Sequence, residues 1–591
     1  MDKFIVNCQK LGRAQKYGIT FLYNTQLIER IKSFSREERE FKNNIWILKT
    51  YTLYNLILIY KGSNKIKFEF IGENAKEIFK DNVNKILVEE QEKQRKIEEL
   101  ERNKKEWLEF KADLDVNYEK YSEIVHKNLK EGTKLYAHQI SAVMFGQKVN
   151  NVLYALSMGT GKSLVSITLC EMNQYEKVIV LTPNSLKFNY LQEIQKFTNS
   201  TAHIVGWKNN QYTIEQAKYI IINYEFFNIS NKEKTYMKWE KLGIRNINAL
   251  VLDECQKLQH TKNNTYKNFK KVFNDDLFFN KERHFYFLSG TPVTNEISNL
   301  YTVLNLISPL DFPNKSYFFS HYCGLQYNIG GYGYVINPEE VKYEELYYKI
   351  EPYCFRKKLE NVVQMPEKQI QKILLELDDK DQKIYNELEE GIANEFFNET
   401  VTNPLTVMLR LRQFLSNVKI KAICELIDIV LENQDKIVIF DVFKASLLDL
   451  KNRYKDIVAL HTGDQSIEER AEIIKEFQDK SSNKKIFLTT FGSGNYGITL
   501  HAANKMSLLT LPFSYAEYDQ SQSRVWRIGQ YEHVMIYPFV VKNTIDEYVF
   551  ARLEARENNM KKVFDNEDYK SDVNENYLND IIKIIKEKHK K

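Results

Sequence analysis

Val152-Leu153-Tyr154-Ala155-Leu156-Ser157-Met158-Gly159-Thr160-Gly161-Lys162-Ser163-Leu164-Val165-Ser166-Ile167 reads as strand, loop and helix in immediate succession. The apolar run before the loop suits a buried strand, and Leu164-Val165-Ser166-Ile167 suits the opening of a helix. Between them Met158, Gly159, Thr160 and Gly161 make a turn whose glycines let backbone N–H groups approach phosphate oxygens. The following helix adds the positive end of its dipole. In such a loop Lys162 contacts the β- and γ-phosphates of a nucleotide, and the Ser163 hydroxyl helps hold Mg2+.

Outward from this loop, short apolar runs alternate with longer amphipathic stretches. Val178-Ile179-Val180-Leu181, Tyr219-Ile220-Ile221-Ile222, Ala249-Leu250-Val251-Leu252 and Phe285-Tyr286-Phe287-Leu288 each lead into polar residues. Parallel strands covered on both faces look like this, and their functional residues sit at the carboxyl ends. The pattern pauses through Tyr343–Leu375 and a helical stretch near Asp378–Leu431. It resumes with Ile437-Val438-Ile439-Phe440, Ile457-Val458-Ala459-Leu460 and Ile486-Phe487-Leu488. The expected fold is α/β, with two parallel-sheet lobes and a helical insertion, preceded by a small N-terminal α/β accessory domain. The expected segments are an accessory domain over 1–82, a charged helical linker over 83–125 and a first lobe over 126–342. A connector over 343–375, a second lobe over 376–558 and a charged tail over 559–591 complete the chain.

Composition narrows the function classes. The chain has 591 residues, enough by the usual length prior for several domains with real cores. Hydrophobic residues make up 43% and charged residues 28%, and the net charge of +5 only weakly favours a polyanionic partner. The cysteines at 8, 170, 255, 323, 354 and 424 are scattered without a Cys-x-x-Cys pair, which argues against a zinc module or disulfide framework and fits a reducing compartment. No apolar run approaches the roughly 20 residues of a membrane helix, and Met1-Asp2-Lys3-Phe4 lacks a signal-peptide plan. A soluble, intracellular protein without membrane contact is expected.

Asp253-Glu254 ends the run Ala249–Leu252, and adjacent carboxylates at a strand end suit a division of labour. Asp253 is expected on magnesium, and Glu254 is expected to polarise an attacking water. Ser289-Gly290-Thr291-Pro292 is a hydroxyl-rich hinge suited to sensing nucleotide state. Leu181-Thr182-Pro183-Asn184-Ser185 offers Thr182, Asn184 and Ser185, with Lys187, as contacts to nucleic-acid phosphates. Thr489-Thr490 with Phe491 opens a second polar loop running to Gly497; Thr490 and Phe491 are candidate nucleic-acid contacts and Gly497 a nucleotide contact. In Gln520-Ser521-Gln522-Ser523-Arg524-Val525-Trp526-Arg527-Ile528-Gly529-Gln530, Arg524 and Arg527 would share one side of a helix. They are expected to act as arginine fingers on the transferred phosphoryl group.

Taken in order, these segments resemble superfamily 2 helicases, specifically the Swi/Snf-type ATPases, over roughly residues 134–550. Leu135-Tyr136-Ala137-His138-Gln139 resembles the entry motif of that family, which implies Gln139 as the adenine contact. Leu288-Ser289-Gly290-Thr291-Pro292 with Asn295, Leu300-Tyr301 and Pro309 carries the resemblance further. So do Phe355-Arg356-Lys357-Lys358 leading to Met365-Pro366-Glu367-Lys368, and Arg527-Ile528-Gly529-Gln530. The resemblance implies two RecA-like lobes with ATP and Mg2+ in the cleft between them, duplex DNA across both, and translocation usually without strand separation. Phe319, Tyr322-Cys323 and the Gly-rich stretch before Glu345-Leu346 resemble the annealing-helicase branch. Leu27-Ile28-Glu29-Arg30-Ile31-Lys32 followed by Trp46 resembles that branch's accessory DNA-structure module, the HARP domain.

The chain departs from the family pattern at Leu156-Ser157, Gln256, Asn495 and Phe513-Ser514-Tyr515. The expected activity is a DNA-dependent ATPase moving on duplex or branched DNA in replication, recombination or repair, by fork remodelling or strand annealing. Single-stranded DNA remains an open partner. A strand-separating DNA or RNA helicase is the alternative within the same machinery. A nucleotide-gated nucleic-acid-binding protein with little turnover is the alternative outside it.

Overall fold

The computed structural model describes residues 4–11, 15–35, 38–60, 66–230, 232–259, 263–274, 276–293, 296–327, 334–397, 404–494 and 497–567. The chain divides into two units, Met1–Lys105 and Glu106–Lys591, and the division falls within the helix Ala75–Asn117.

In the first unit, strands β1 (Phe4–Lys10), β2 (Lys16–Phe21), β3 (Arg39–Lys42), β4 (Ile45–Lys49) and β5 (Ile66–Ile71) form a sheet in the order β3-β4-β2-β1-β5. Only the β1/β5 pair is parallel among these. Period-two alternation puts Val6, Cys8, Tyr17, Ile19, Trp46 and Leu48 on one face. Leu27 and Ile31 of helix Thr25–Ser33 cover that face, with Leu53 and Leu56 of helix Thr50–Ile59. The apolar run Leu56-Ile57-Leu58-Ile59 is thus helical, because its inward residues recur at helical rather than strand spacing.

The second unit holds two parallel sheets. The first is built from β6 (Asn151–Leu156), β7 (Val178–Thr182), β8 (Ala202–Ile204), β9 (Tyr219–Asn223), β10 (Ile247–Asp253) and β11 (Phe279–Leu288). An antiparallel hairpin of β12 (Cys323–Tyr327) and β13 (Tyr334–Val341) follows. Next, β14 (Cys354–Lys357) returns to the first sheet, whose order is β14-β6-β11-β10-β7-β9-β8. The second sheet takes β15 (Lys368–Ile370), β16 (Ile373–Leu375), β17 (Ile437–Asp441), β18 (Val458–His461), β19 (Ile486–Thr490), β20 (Lys505–Leu508) and β21 (Val534–Val541). Its order is β15-β21-β20-β17-β19-β18, with β16 also on β21.

The stretch 343–375, expected as a connector, contributes strands to both sheets. It lays β14 beside β6 in the first sheet and β15 and β16 beside β21 in the second. These strands are three or four residues long, too short for an apolar run to announce them. The second-lobe insertion consists of helices Asp379–Phe397, Pro404–Val418 and Ile420–Glu432. The last described helix, Ile545–Asp565, continues past residue 558. Its Asp565 carboxylate accepts Arg356 Nε at 3.0 Å and Nη2 at 3.4 Å, while Arg356 Nη1 donates to the Ala155 carbonyl at 3.1 Å.

In both sheets the inner strands are buried, as parallel strands with helices on both faces must be. The polar residues singled out from sequence stand at their carboxyl ends. Ser157 follows β6, Thr182 and Asp253 close β7 and β10, Ser289 follows β11, and Thr490 closes β19.

Candidate active site

The phosphate loop leaves β6 at Leu156 and enters helix Lys162–Met172 through Gly159 and Gly161, at φ of 80° and 82°. Those angles favour glycine, and a Cβ on Gly161 would lie 2.3 Å from Gln139 Nε2. The Thr160 hydroxyl donates to the Ser157 carbonyl at 2.7 Å, which braces the turn from within. The Thr160 carbonyl accepts Gln139 Nε2 at 2.9 Å and lies 2.9 Å from His138 Nε2. Gln139 Oε1 accepts the Tyr136 N–H at 2.9 Å. One amide hydrogen and one lone pair of Gln139 remain, the donor and acceptor that the N7 and N6 edge of adenine matches. Sequence reasoning missed His138, whose only signal was adjacency to Gln139.

Lys162 Nζ donates to the Leu156 carbonyl at 3.1 Å and the Ser157 carbonyl at 3.5 Å. Burial lowers its pKa, and the opposing pull of Glu254 and Asp253 reduces that fall. Asp253 Oδ2 accepts the Thr182 hydroxyl at 2.9 Å. Burial and the neighbouring Glu254 push the Asp253 carboxyl up, against Lys162 and Thr182. Glu254 occupies the left-handed region at φ 52°, where a non-glycine residue stores strain on the order of 1–3 kcal/mol. Its Oε2 accepts Gln256 Nε2 at 2.5 Å and, from the second lobe, Gln520 Nε2 at 3.4 Å. Gln256 Oε1 accepts the Ser289 hydroxyl at 2.8 Å, and Ser289 Oγ accepts the Thr291 N–H at 3.1 Å. Gln256, a departure from the family pattern, therefore joins the carboxylate to the Ser289–Pro292 segment.

The arginines lie beyond a helix rather than on one. Helix Tyr515–Gln522 ends before Arg524, and turns carry both side chains into the cleft. Arg524 Nη1 and Arg527 Nη1 converge on the Ile498 carbonyl at 3.2 and 3.1 Å, which achieves the shared direction expected of a helix face. Arg524 Nη2 also lies 3.3 Å from Met158 Sδ, across the cleft. Between the arginines, Trp526 Nε1 donates to the Pro366 carbonyl at 2.8 Å and its ring lies 4.9 Å from Lys368 Nζ. The cleft brings Met158, Gly159, Gly161, Lys162, Ser163, Asp253 and Glu254 to face Gly497, Arg524 and Arg527. It also contains Glu193, whose carboxyl is pushed up by burial against the pull of Arg527 and Ser163, and for which no local motif gave a signal.

The nucleic-acid candidates separate into two groups. Asn184 and Ser185 are exposed and line a second cleft with Gly492 and Ser493, whereas Lys187 and Thr490 are half-buried and do not line it. Thr182 is fully buried on Asp253, and Phe491 is buried against Phe440 with ring centroids 5.3 Å apart. Those two are corrections to the expected contact set: a buried hydroxyl and a core ring offer nothing to a phosphate. Asn295, Asn495, Tyr496, the Gly-rich stretch 328–333 and tail residues 568–591 lie outside the described residues.

Among the described residues no group of three or more His, Cys, Asp and Glu side chains is placed to hold a metal. The Ser163 hydroxyl and Asp253 carboxylate form an all-oxygen donor pair, which fits Mg2+: that ion keeps waters and takes its remaining ligands from one or two carboxylates and substrate phosphates. Among the described residues no helix is long and apolar enough to cross a membrane.

Residues 26–420 match the family described as SNF2-related domain, and residues 418–529 match the helicase conserved C-terminal domain. An uncharacterized ATP-dependent helicase of Mycoplasma genitalium is 24% identical over 467 residues, covering 74% of this chain and 42% of that protein. The DNA repair and recombination protein RAD54 of Oryza sativa is 22% identical over 520 residues, covering 73% of this chain and 51% of that protein. The chain thus spans about half the length of these relatives or less. Among solved structures, the Sulfolobus solfataricus SWI2/SNF2 ATPase core in complex with dsDNA is similar at 21% identity and a TM-score of 0.34, covering 74% of this chain and 98% of that one.

Proposed function

Because the chain belongs to the family of SNF2-related domains, we propose that it is an ATPase that couples hydrolysis to movement along duplex or branched DNA. The observation that carries this reading is convergence on one cleft. Lys162 and Ser163, the Asp253–Glu254 pair and the two arginines of the opposite lobe all line it.

Each residue has a distinct task there. Gln139 presents its unused amide hydrogen and lone pair to adenine. The loop N–H groups and Lys162 bind the phosphate chain, and Ser163 with Asp253 would hold Mg2+. The ion, when bound, neutralises charge on the phosphates and orients them. Glu254 accepts hydrogen bonds through Oε2, leaving Oε1 to orient a water and draw on its proton. Arg524 and Arg527 neutralise charge developing on the transferred phosphoryl group, and because they come from the other lobe, the site is complete only with the cleft closed. Closure shifts Asn184, Ser185 and Lys187 relative to Thr490, and backbone contacts alternately gripped and released move the protein along a strand.

Work on forks, recombination intermediates or displaced strands is the proposed setting. A relative named for DNA repair and recombination supports it, as does the resemblance to the annealing branch. The accessory module over residues 1–82 is proposed to select branched structures.

The test is steady-state ATP hydrolysis with no nucleic acid, single-stranded DNA, duplex DNA, forked DNA and RNA. Stimulation by duplex or forked DNA, lost in Lys162→Ala and Glu254→Gln, is the expected result. Stimulation mainly by RNA or single strands would favour an unwinding helicase. Absence of turnover with every nucleic acid would sink the proposal.

A further inference from the structure

Glu193 is a cleft carboxylate to which the reading above assigns no task. It lies on helix Lys187–Phe197, which follows the single turn Asn184–Leu186 that exposes Asn184 and Ser185. One turn in, Asn189 Nδ2 donates to the Gly497 carbonyl of the second lobe at 3.4 Å. The next residue, Tyr190, ties the helix to the phosphate-loop helix through a 2.5 Å hydroxyl contact with Ser166. A turn beyond Asn189, Glu193 lines the cleft together with Ser163 and Arg527. Burial pushes its carboxyl up, against the pull of the Arg527 charge and of hydrogen bonding from Ser163.

The charge balance of the cleft gives this placement a purpose. Lys162, Arg524 and Arg527 line the cleft with Asp253, Glu254 and Glu193, so its lining carries three cationic and three carboxylate side chains. A serine that gives its proton to a carboxylate keeps its lone pairs for a cation. Partners of this kind orient metal ligands throughout metalloproteins.

We propose that Glu193 is a positioning residue of the nucleotide site, orienting the Ser163 hydroxyl for magnesium and holding Arg527 at the cleft. The proposal rests on the ATPase reading. It also gives the exposed DNA-facing end of the helix a mechanical route to the phosphates, since the same helix carries Asn184 and Ser185 just before its start and Glu193 two turns into it.

The experiment uses the full chain as wild type, Glu193→Ala and Glu193→Gln. Binding of a fluorescent ATP analogue is titrated with and without Mg2+, beside hydrolysis and thermal melting. Glu193→Ala is expected to bind the analogue without Mg2+ at least as well as wild type. It should lose about 10–100-fold in Mg2+ affinity, the usual effect of removing a ligand's supporting partner. Glu193→Gln retains an acceptor for Ser163, so it should recover most of the Mg2+ dependence yet turn over more slowly, having lost the charge that holds Arg527. Wild-type Mg2+ dependence in Glu193→Ala would overturn the proposal and leave the ATPase reading standing, whatever its melting temperature. A wild-type protein that binds no nucleotide under either condition would overturn both.

Discussion

Gln256 donates its side-chain amide to Glu254 Oε2 at 2.5 Å, so the carboxylate expected to polarise water is gripped by the residue two positions later. Removing a hydrogen bond to a charged group costs about 1.5–3 kcal/mol, roughly 10–100-fold in rate if the loss falls on the transition state. Gln256→Leu should therefore lower kcat by about that factor with KM for ATP little changed. Glu254→Gln should remove about 10²–10⁴-fold of kcat while nucleotide binding persists. Single-turnover hydrolysis beside equilibrium nucleotide binding separates the two effects.

Gly161→Ala should abolish nucleotide binding. The new Cβ would sit 2.3 Å from Gln139 Nε2 at a φ of 82°, so both the loop and the adenine contact must give way. Gly492→Ala is the control, because a Cβ there meets nothing within 4 Å and φ is not positive. Fluorescent nucleotide titration of the two variants checks this, and equal affinities would count against a loop held by Gln139.

Arg524→Ala and Arg527→Ala should each lower kcat by about 10³-fold or more, as removal of an arginine finger does, with DNA affinity unchanged. Both guanidiniums share the Ile498 carbonyl, so the double variant should lose less than the product of the single losses. Turnover of the three variants at saturating ATP and DNA makes the comparison.

His461 gives the second lobe a pH dependence. Burial, with Arg470 adding to it, depresses its pKa to about 4, and Nδ1 lies 3.2 Å from Thr489 Oγ1. The unfolded chain binds this proton near pH 6.5, so between those values the folded state carries fewer protons than the unfolded one. The stabilisation is fully present above about pH 6.5 and is lost as pH falls through about 4, an effect on the order of 1–3 kcal/mol. Urea midpoints of the second-lobe transition should fall from pH 7 to pH 4.5, and His461→Gln should flatten that slope.

The parts of this molecule legible in its sequence are those where local chemistry and buried pattern coincide. The runs at Val152–Leu156, Val178–Leu181 and Ala249–Leu252 read as strands because parallel strands are covered on both faces. The loop between Leu156 and Lys162 is legible because phosphate approach requires glycine. What stayed hidden depends on contacts between distant segments. Thr182 carries the hydroxyl of a phosphate-contact motif, yet it points at Asp253, 71 positions away. Phe491 follows a polar pair yet packs into the core on Phe440. The spacing of Arg524 and Arg527 suggested a helix, while turns deliver them to one carbonyl. Glu193 sits amid ordinary helix polarity, and only the neighbouring helix reveals what its carboxylate meets.

The short segment between β14 and β15 is held at both ends by the second lobe. Arg356, in β14 just before it, is clasped by Asp565, and Pro366 near its end accepts Trp526 from between the two arginines. Two such anchors act like the pins of a door: they leave tilting about the line joining them as the easy motion and oppose sliding or parting. Because Trp526 lies between Arg524 and Arg527, this contact fixes the turn that carries both arginines to the segment joining the two sheets. A displacement of that segment would thus reach both arginines through a single side chain.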